Sequence, residues 1–359
     1  MKVCIIGNSL TALTLARTLV NLNINVEILY IKKNLNYSKT RTIGISKSNI
    51  DFFNDNIINI NPILWKLKKI EIFSQNLTRE KLINFEKDNE QIFSIIQNYN
   101  LYKILKNELS KNKFFNSKFF NKKNLFFLKS YDLIINCDPL NEITKKYFSK
   151  KIIKRYNSCA HTTIIKHDKI TNDIAFQIFT KEGPLAFLPI SNNKTSIVFS
   201  MHNFSNQQKI NIGQLIKDKN FRYKIQSMAK VQNFDLQSLS LRSYYHDNIL
   251  AFGDLLHKVH PLAGQGFNMT VRDIKILSKI IKNRLDLGLP LDSSINAEFE
   301  NKAKYKNLIF SNGVDLIYEF FNFERKIKNN FLSKSVQKIN NYKLINKAFT
   351  KIADEGIFS

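Results

Sequence analysis

The chain's most informative segment is residues 248–268, NILAFGDLLHKVHPLAGQGFN. Its first five residues are mostly apolar and predict a buried strand, which ends at Gly253 and Asp254. Three of the ten glycines fall between positions 253 and 266, just before a predicted helix that continues to about Arg284. A carboxylate at a strand end, followed by a glycine-rich loop at a helix N-terminus, is typical of a nucleotide-type site, because backbone N–H groups can approach a ligand closely there.

Residues 2–30 predict a strand, a helix and a second strand, which form one βαβ unit. The turn after the first strand contains Gly7, Ser9 and Ala12, at the spacing where dinucleotide folds place their phosphate-binding residues. The acidic residue expected at the end of the second strand is replaced by Tyr30. This unit therefore predicts a second part of the same site.

The composition limits the class of protein. The 359 residues contain 43% hydrophobic residues, which suits about two globular domains, and a net charge of +26, which we attribute mainly to lysines on solvated faces. Three cysteines without a CxxC pair exclude a disulfide scaffold. His257 and His260 offer only two of the three or four ligands that a zinc site needs, so no metal is predicted.

A longer stretch, residues 253–273 (GDLLHKVHPLAGQGFNMTVRD), resembles the second flavin-binding motif of FAD-dependent aromatic-ring monooxygenases. The branch that it resembles most is that of the ubiquinone-biosynthesis hydroxylases. Residues 40–46 (TRTIGIS), Gln97-Asn98 and residues 181–189 (KEGPLAFLP) resemble other segments of that family in order and spacing. The resemblance therefore covers nearly the whole chain.

The resemblance implies an α/β fold: a Rossmann-like FAD-binding domain of the para-hydroxybenzoate-hydroxylase type, a substrate domain with a mixed β-sheet, and C-terminal helices. The FAD-binding domain is expected to be discontinuous, and the substrate domain to cover the cofactor. We assign 1–70, 95–150 and 240–300 to the FAD-binding domain, 71–94 and 151–239 to the substrate-covering sheet, and 301–359 to the C-terminal helical segment. Within these, 50–110 is expected to be mainly helical, and 111–129, with its interleaved Lys and Phe, to form a hairpin with Phe in the core.

The resemblance also implies the site residues. Asp254 would hold the ribityl chain, Gly264 to Gly266 would face the pyrimidine end of the flavin, and Pro261 would lie beside the ring where the substrate enters. The residues that we expect to act in catalysis are Pro261, Gly264 and Gln265. The residues that we expect to bind the cofactor are Gly7, Ser9, Ala12, Arg41, Asn98, Asp138, Gly253, Asp254, Gly264, Gln265, Gly266 and Asn268.

The activity implied by the resemblance is hydroxylation of the aromatic ring of a polyprenylated phenol in ubiquinone biosynthesis. FAD would be the cofactor, NAD(P)H the electron donor and O₂ the co-substrate, through a flavin C4a-hydroperoxide. Expected partners are other quinone-biosynthesis proteins and an anionic membrane, which the segment Phe321–Ser359, with eight Lys/Arg and three Asp/Glu, would contact; nucleic acid is not an expected partner. We expect a cytoplasmic protein at the inner face of the membrane.

Two departures from the family pattern support an alternative. Pro139 follows Asp138 where the family has glycine, and proline lacks an N–H, so the turn must be remodelled. Tyr30 stands in place of the ribose-binding carboxylate. The alternative is a non-catalytic subunit with a flavin-binding fold that scaffolds a quinone-biosynthesis complex.

Overall fold

The computed structural model describes residues 1–30, 39–75, 81–86, 91, 93–120, 130–202, 211–260 and 264–327. These residues form three β-sheets with helices packed around them. The α/β class predicted from the sequence is confirmed.

The first sheet has six strands, and its central strands are short apolar runs that are buried on both faces. All neighbours are parallel except the edge pair β16–β17, and the strand order is β16-β17-β9-β1-β2-β8. The strands are β1 (Lys2–Ile6), β2 (Asn25–Tyr30), β8 (Phe115–Phe119), β9 (Leu133–Asn136), β16 (Tyr245–His246) and β17 (Ile249–Ala251). Because β17 comes from a distant part of the chain, the sheet brings the two predicted cofactor motifs side by side.

The second sheet has nine strands and is mixed, since β5 and β11 pair in parallel while the other pairs are antiparallel. Its order is β18-β15-β10-β13-β12-β11-β5-β6, with β14 also on β10. The strands are β5 (Lys69–Ser74), β6 (Lys81–Glu86), β10 (Lys151–His167), β11 (Ile174–Phe179), β12 (Pro184–Ser191), β13 (Lys194–His202), β14 (Ile225–Met228), β15 (Gln232–Leu241) and β18 (His257–Lys258).

The third sheet is small and antiparallel, with the order β3-β7-β4. Its strands are β3 (Thr42–Ser46), β4 (Trp65–Leu67) and β7 (Phe93–Gln97). One of its strands contacts the helix that follows the glycine-rich loop, and its other strands contact the nine-stranded sheet. It therefore lies where the two larger sheets meet.

Most helices cover the parallel sheet and the end of the glycine-rich loop, whereas α5 packs on the nine-stranded sheet. They are α1 (Leu10–Val20), α2 (Lys47–Asn56), α3 (Asn98–Ser110), α4 (Glu142–Tyr147), α5 (Ile212–Lys219), α6 (Gln265–Asp286) and α7 (Ser294–Ile327), with 3₁₀ turns at Asn61–Ile63 and Gly253–Leu255. Among the described residues, none of these helices combines the length and the apolar character that crossing a bilayer requires.

Two sequence predictions were wrong. Residues 50–110 are not mainly helical, because β4, β5, β6 and β7 fall between α2 and α3. The expected hairpin within 111–129 is absent from its described part, because β8 is instead a parallel edge strand beside β2. Phe114, Phe115 and Phe120 do pack on the core as expected, whereas Phe119 is 56% exposed. Residues 121–129, and residues 328–359 of the expected C-terminal segment, lie outside the described residues.

Candidate cofactor site

The carboxyl ends of β1, β9 and β17 lie next to one another and carry Gly7, Asp138 and Gly253-Asp254. Gly7 has φ +108°, and a Cβ there would lie 3.3 Å from both the backbone N and the Cβ of Asp138. Gly253 has φ +67°, and its added Cβ would lie 2.6 Å from Cγ2 of Thr11. Both positions therefore require glycine, and three predicted segments converge at one edge of the sheet.

Two carboxylates occupy this edge. Burial raises the pKa of the Cys137 thiol at the end of β9, and the neighbouring charges of Asp138 and Asp254 raise it further. Asp254 is exposed. Its carboxylate can therefore accept hydrogen bonds from a ligand that enters at the sheet edge.

The N-terminus of α1 lies at the same edge. The Ser9 hydroxyl accepts a hydrogen bond from the backbone N–H of Ala12 at 3.3 Å, so this side chain is the N-cap of α1. Ala12 is completely buried, which lets the helix pack close to the sheet. The positive end of the helix dipole is thereby directed to the edge that Asp138 and Asp254 share, where it favours a phosphate group.

The glycine-rich loop packs directly on β3. Gly264 has φ +64°, and a Cβ there would lie 2.9 Å from the backbone N of Gly44, so the two backbones touch. Gln265 follows as the first residue of α6 and is buried. At Gly266 the nearest atom to an added Cβ is Cγ2 of Val259, at 3.9 Å. Pro261, the third residue expected to act in catalysis, lies outside the described residues.

Asn268 fastens this loop to β3 and is fully buried. Its Nδ2 donates to the carbonyl oxygens of Gly44 at 2.9 Å and Gly264 at 3.3 Å. Its Oδ1 accepts from the backbone N of Ser46 at 3.1 Å and from Nδ2 of Asn49 at 2.8 Å. All four bonds go to protein groups, so Asn268 positions the loop on β3.

His257 and Asp273 form a second fastening that the sequence did not explain. Nε2 of His257 lies 2.6 Å from Oδ2 of Asp273, and both side chains are buried. Oδ1 of the same Asp273 accepts from Nδ2 of Asn307 at 2.9 Å. The pair thus joins β18 to α6, and α6 to α7, on either side of the loop. The sequence signal for this structural role was that His257 and Asp273 both belong to the matched motif, residues 253–273.

Arg41 and Asn98 meet beside β3. The backbone N of Asn98 donates to the carbonyl of Arg41 at 3.1 Å, and the Arg41 guanidinium lies 4.9 Å from the ring centroid of Phe234 on β15. Oδ1 of Asn98 is buried, with no hydrogen-bond partner among the described residues. A buried acceptor of this kind favours a ligand donor, and FAD carries such donors on its flavin and its hydroxyl groups. The residues present therefore fit FAD.

The turn after β9 is remodelled around Pro139. Oδ1 of Asn136 accepts from the backbone N of Asp138 at 3.1 Å, and Oδ1 of Asp138 accepts from the backbone N of Leu140 at 2.9 Å. The Thr144 hydroxyl donates to the carbonyl of Asp138 at 2.7 Å. The missing proline N–H is thus accommodated by side-chain bonds, and Asp138 stays at the strand end.

The adenosine side of the site lacks the acidic residue that dinucleotide-binding folds usually place at the end of the second strand. Tyr30 ends β2, and its ring packs edge-on against Phe119 at 6.0 Å between centroids. Glu27, the nearest acid on that strand, is buried and bonded to Asn116 at 3.0 Å and Lys118 at 2.7 Å. Glu27 is therefore occupied by protein partners.

Among the described residues, no cluster of three or more His, Cys, Asp and Glu is arranged to hold a metal ion.

Comparison with known proteins identifies the fold. Residues 200–286 match the family model described as FAD binding domain. The structure superimposes on p-nitrophenol 4-monooxygenase PnpA from Pseudomonas putida DLL-E4 with a TM-score of 0.77 and 9% identity, covering 97% of this chain and 96% of that one. Klebsiella pneumoniae HpxO complexed with FAD and uric acid gives a TM-score of 0.75 at 11% identity, covering 99% and 97%. The fold is that of the FAD-dependent monooxygenases.

Several curated proteins that the chain is similar to are ubiquinone-biosynthesis hydroxylases. The chain is 30% identical to Escherichia coli (strain K12) 3-demethoxyubiquinol 3-hydroxylase over 156 residues, 42% of this chain and 40% of that protein. It is 26% identical to the mitochondrial ubiquinone biosynthesis monooxygenase COQ6 of Dictyostelium discoideum over 241 residues, 53% and 49% of the two chains. These matches span about half the length of the curated relatives or less. The resemblance inferred from the sequence is confirmed, as is FAD as the cofactor.

Proposed function

We propose that this chain is an FAD-dependent monooxygenase that hydroxylates the aromatic ring of a polyprenylated phenol in ubiquinone biosynthesis. One oxygen atom of O₂ enters a ring C–H bond to give C–OH. The other is reduced to water by the two electrons and the hydride-derived proton of NAD(P)H, together with one further proton. The observation that carries the proposal is the packing of the Gly264 backbone on Gly44, which Asn268 fixes beside the sheet edge that carries Asp254.

Each site residue has a proposed role. Gly7, Ser9 and Ala12 form the turn and helix end that face the FAD pyrophosphate. Asp254 accepts hydrogen bonds from the ribityl hydroxyls, and Asp138 lies on the neighbouring strand end.

The remaining residues contact the flavin end. Arg41 and Asn98 lie beside β3, and the backbone of Gly264, Gln265 and Gly266 meets the pyrimidine end of the ring. Pro261, which the family resemblance implies beside the substrate entry, lies outside the described residues. When bound, FAD supplies the electron transfer and oxygen activation that no side chain can perform.

The non-catalytic alternative receives less support. It depends on Pro139 and Tyr30, and the bonds around Asp138 accommodate the first of these without moving the strand end. The division of the chain into domains is part of the proposal. The FAD-binding domain comprises 1–70, 95–150 and 240–300, the substrate-covering sheet comprises 71–94 and 151–239, and the C-terminal segment comprises 301–359. Strand β7, which begins at the end of 71–94, belongs to the small three-stranded sheet.

The test is an assay of purified protein with FAD, NADH or NADPH, ¹⁸O₂ and a one-isoprene analogue of 3-demethoxyubiquinol, followed by mass spectrometry. The proposal expects one ¹⁸O atom in the product. Asp254→Ala should weaken FAD binding about 10-fold or more, because bonds to a charged group are lost. Asp286→Ala, at the exposed end of α6, is the matched control and should change nothing. Unlabelled product, or full FAD binding by Asp254→Ala, would contradict the proposal.

We also propose contact with an anionic membrane. Leu316 and Ile317 on α7 are 71% and 48% exposed, and Ile152 at the start of β10 is 55% exposed. Lys154 joins these two elements through an ion pair with Glu319 at 3.0 Å. Exposed apolar side chains on a strongly basic chain suit the surface of an anionic bilayer.

Co-sedimentation with vesicles tests this contact. Wild-type protein should pellet with vesicles containing anionic lipid and not with neutral ones. Leu316→Ser combined with Ile317→Ser should lose most of this binding, whereas Leu287→Ser, at an equally exposed leucine elsewhere (72%), should keep it. Equal pelleting of all three proteins would refute the contact.

A further inference from the structure

A row of side chains crosses the middle of the nine-stranded sheet. The cross-strand pairs are Ile72 with Gln177, Gln177 with Ala186, Ala186 with Val198, and Val198 with Thr162. Directly paired residues point to the same face of a sheet, so all five lie on one face. We call this set the inner row.

The inner row faces the cofactor site. The next residues along these strands, such as Phe176, Phe187 and Ile197, belong to the apolar cluster on the opposite face. On the side of the inner row, the neighbouring residues Ser196 and Phe234 contact the segment that leads into β3. The Ser196 hydroxyl lies 2.9 Å from that of Thr42, and Phe234 lies under Arg41.

Two apolar clusters border the inner row, one towards each end of the strands. On one side, Ala175 and Leu188 pack against Trp65 and Leu67 of the small sheet. On the other side, Phe179 packs in the cluster that also contains Met269 of α6 and Phe310 of α7. Between these two apolar clusters, Ile72, Gln177, Ala186 and Val198 remain partly exposed, although all four lie on strands inside the sheet. The inner row is therefore the floor of a gap between two packed contacts.

The floor has a small apolar centre and a polar group towards each end. Ala186 and Val198 form the centre, and Gln177 places a half-buried carboxamide beside Ala186. Beside Val198, Thr162 is 6% exposed, and its Oγ1 is buried with no hydrogen-bond partner among the described residues. A buried hydroxyl without a partner is destabilising, so this atom favours a ligand oxygen.

The dimensions suit an oxygen-substituted aromatic ring. Gln177 and Thr162 are three strand spacings apart, roughly 14 Å between backbones. A ring with oxygens on opposite carbons, extended by one hydrogen bond at each end, spans roughly 11 Å. The two side chains cover the remaining distance.

We infer that the inner row is the seat of the substrate ring: the ring lies on Ala186 and Val198, the Thr162 hydroxyl donates to one ring oxygen, and the Gln177 carboxamide donates to another. This inference rests on the proposed function, and it names the residues that select the ring substituents. Thr162 and Gln177 are specificity residues here, because they touch the substrate and not the cofactor.

Substrate affinity tests the seat. The probe is one-isoprene 3-demethoxyubiquinol, kept reduced under anaerobic conditions, with analogues that each lack one ring oxygen, and Kd is read from the flavin absorption change of FAD-loaded protein. Thr162→Val keeps the shape and removes the hydroxyl. It should weaken binding of the full probe about 10-fold and leave one of the oxygen-deficient analogues unaffected. Ala186→Leu fills the seat and should weaken every ring about 10-fold or more, while the Kd for FAD stays within about twofold.

Thr163→Val is the control, since Thr163 is the next residue of β10 and bonds on the other face to the carbonyl of Ala229 at 2.7 Å. It should lower stability without changing any probe Kd. If wild-type protein hydroxylates the probe but Thr162→Val and Ala186→Leu bind all rings as wild type does, the seat is wrong and the proposed function stands. If wild-type protein takes up neither FAD nor probe, both fail.

Discussion

Replacing Asn268 with alanine is the sharpest mutational test of how the site is built. This one side chain makes four hydrogen bonds, two to β3, one to Asn49 of α2 and one to Gly264 of the loop, and it is fully buried. Asn268→Ala removes the bonds that this side chain makes with the backbone N–H of Ser46 and with the carbonyl of Gly44, both on buried residues. The Gly264 carbonyl loses a longer bond, and Asn49 keeps only a 3.5 Å contact with the carbonyl of residue 268.

The magnitude follows from these losses. A hydrogen bond of this kind contributes about 1 kcal/mol net, so the loss of four of them predicts a loss of about 4 kcal/mol in the free energy of unfolding. The loop would also lose its fixed position on Gly44, so FAD affinity should fall about 10-fold or more. Both effects have one cause and should appear together.

The assay is urea denaturation of the FAD-free protein together with a fluorescence titration of FAD. Asn283→Ala is the matched control, since Asn283 lies on the exposed face of the same helix. This control should shift stability by no more than about 0.5 kcal/mol. An Asn268→Ala protein as stable as the control, with wild-type FAD affinity, would refute the role of Asn268 as the fastening of the loop.

Three further substitutions probe the surrounding structure. Gly264→Ala should lower stability by more than about 1 kcal/mol and weaken FAD binding, because its Cβ would lie 2.9 Å from the Gly44 nitrogen at a positive φ; unchanged melting and titration curves would contradict this. His257→Ala removes one of the two side-chain partners of the buried Asp273 carboxylate, the other being Asn307, and should cost about 1–3 kcal/mol in urea denaturation; a loss below about 0.5 kcal/mol would show that the pair is dispensable. Burial raises the pKa of Glu27, but hydrogen bonds and nearby lysines outweigh it and hold the pKa below its ordinary value, so this group's stabilisation is present above about pH 4.5 and lost as the pH falls through the lowered pKa. Glu27→Gln should therefore lose less stability than wild type between about pH 6 and pH 3, and equal losses would contradict the assignment.

The fold was readable from the sequence where apolar runs are local. The βαβ unit of residues 2–30 and the strand, loop and helix after Asn248 each carry their own pattern. The strands of 65–97 were missed because their stabilising partners are distant: β5 pairs with β11, about a hundred residues further along the chain. Likewise β8 pairs in parallel with β2 and not with a neighbour in sequence, so no hairpin signal applied.

The glycines and carboxylates of the candidate site could be predicted from the sequence, but the buried hydrogen bonds that position its loop could not. Gly253, Asp254 and Gly264 are recognised by a motif that specifies backbone conformation and charge. The bond from the Ser46 backbone to Asn268 spans 222 residues, so no local pattern reveals it. The inner row was invisible for the same reason, since its five residues come from five strands that only the folded sheet aligns.

The most direct measurement is an absorption and fluorescence titration of the purified, FAD-free protein with FAD. If the loop from Gly253 to Asn268 holds the flavin, the protein should take up one FAD per chain, retain the flavin bands through gel filtration, and lose them in Asp254→Ala. A wild-type protein that elutes colourless after incubation with excess FAD would contradict the assignment of this loop as the flavin site.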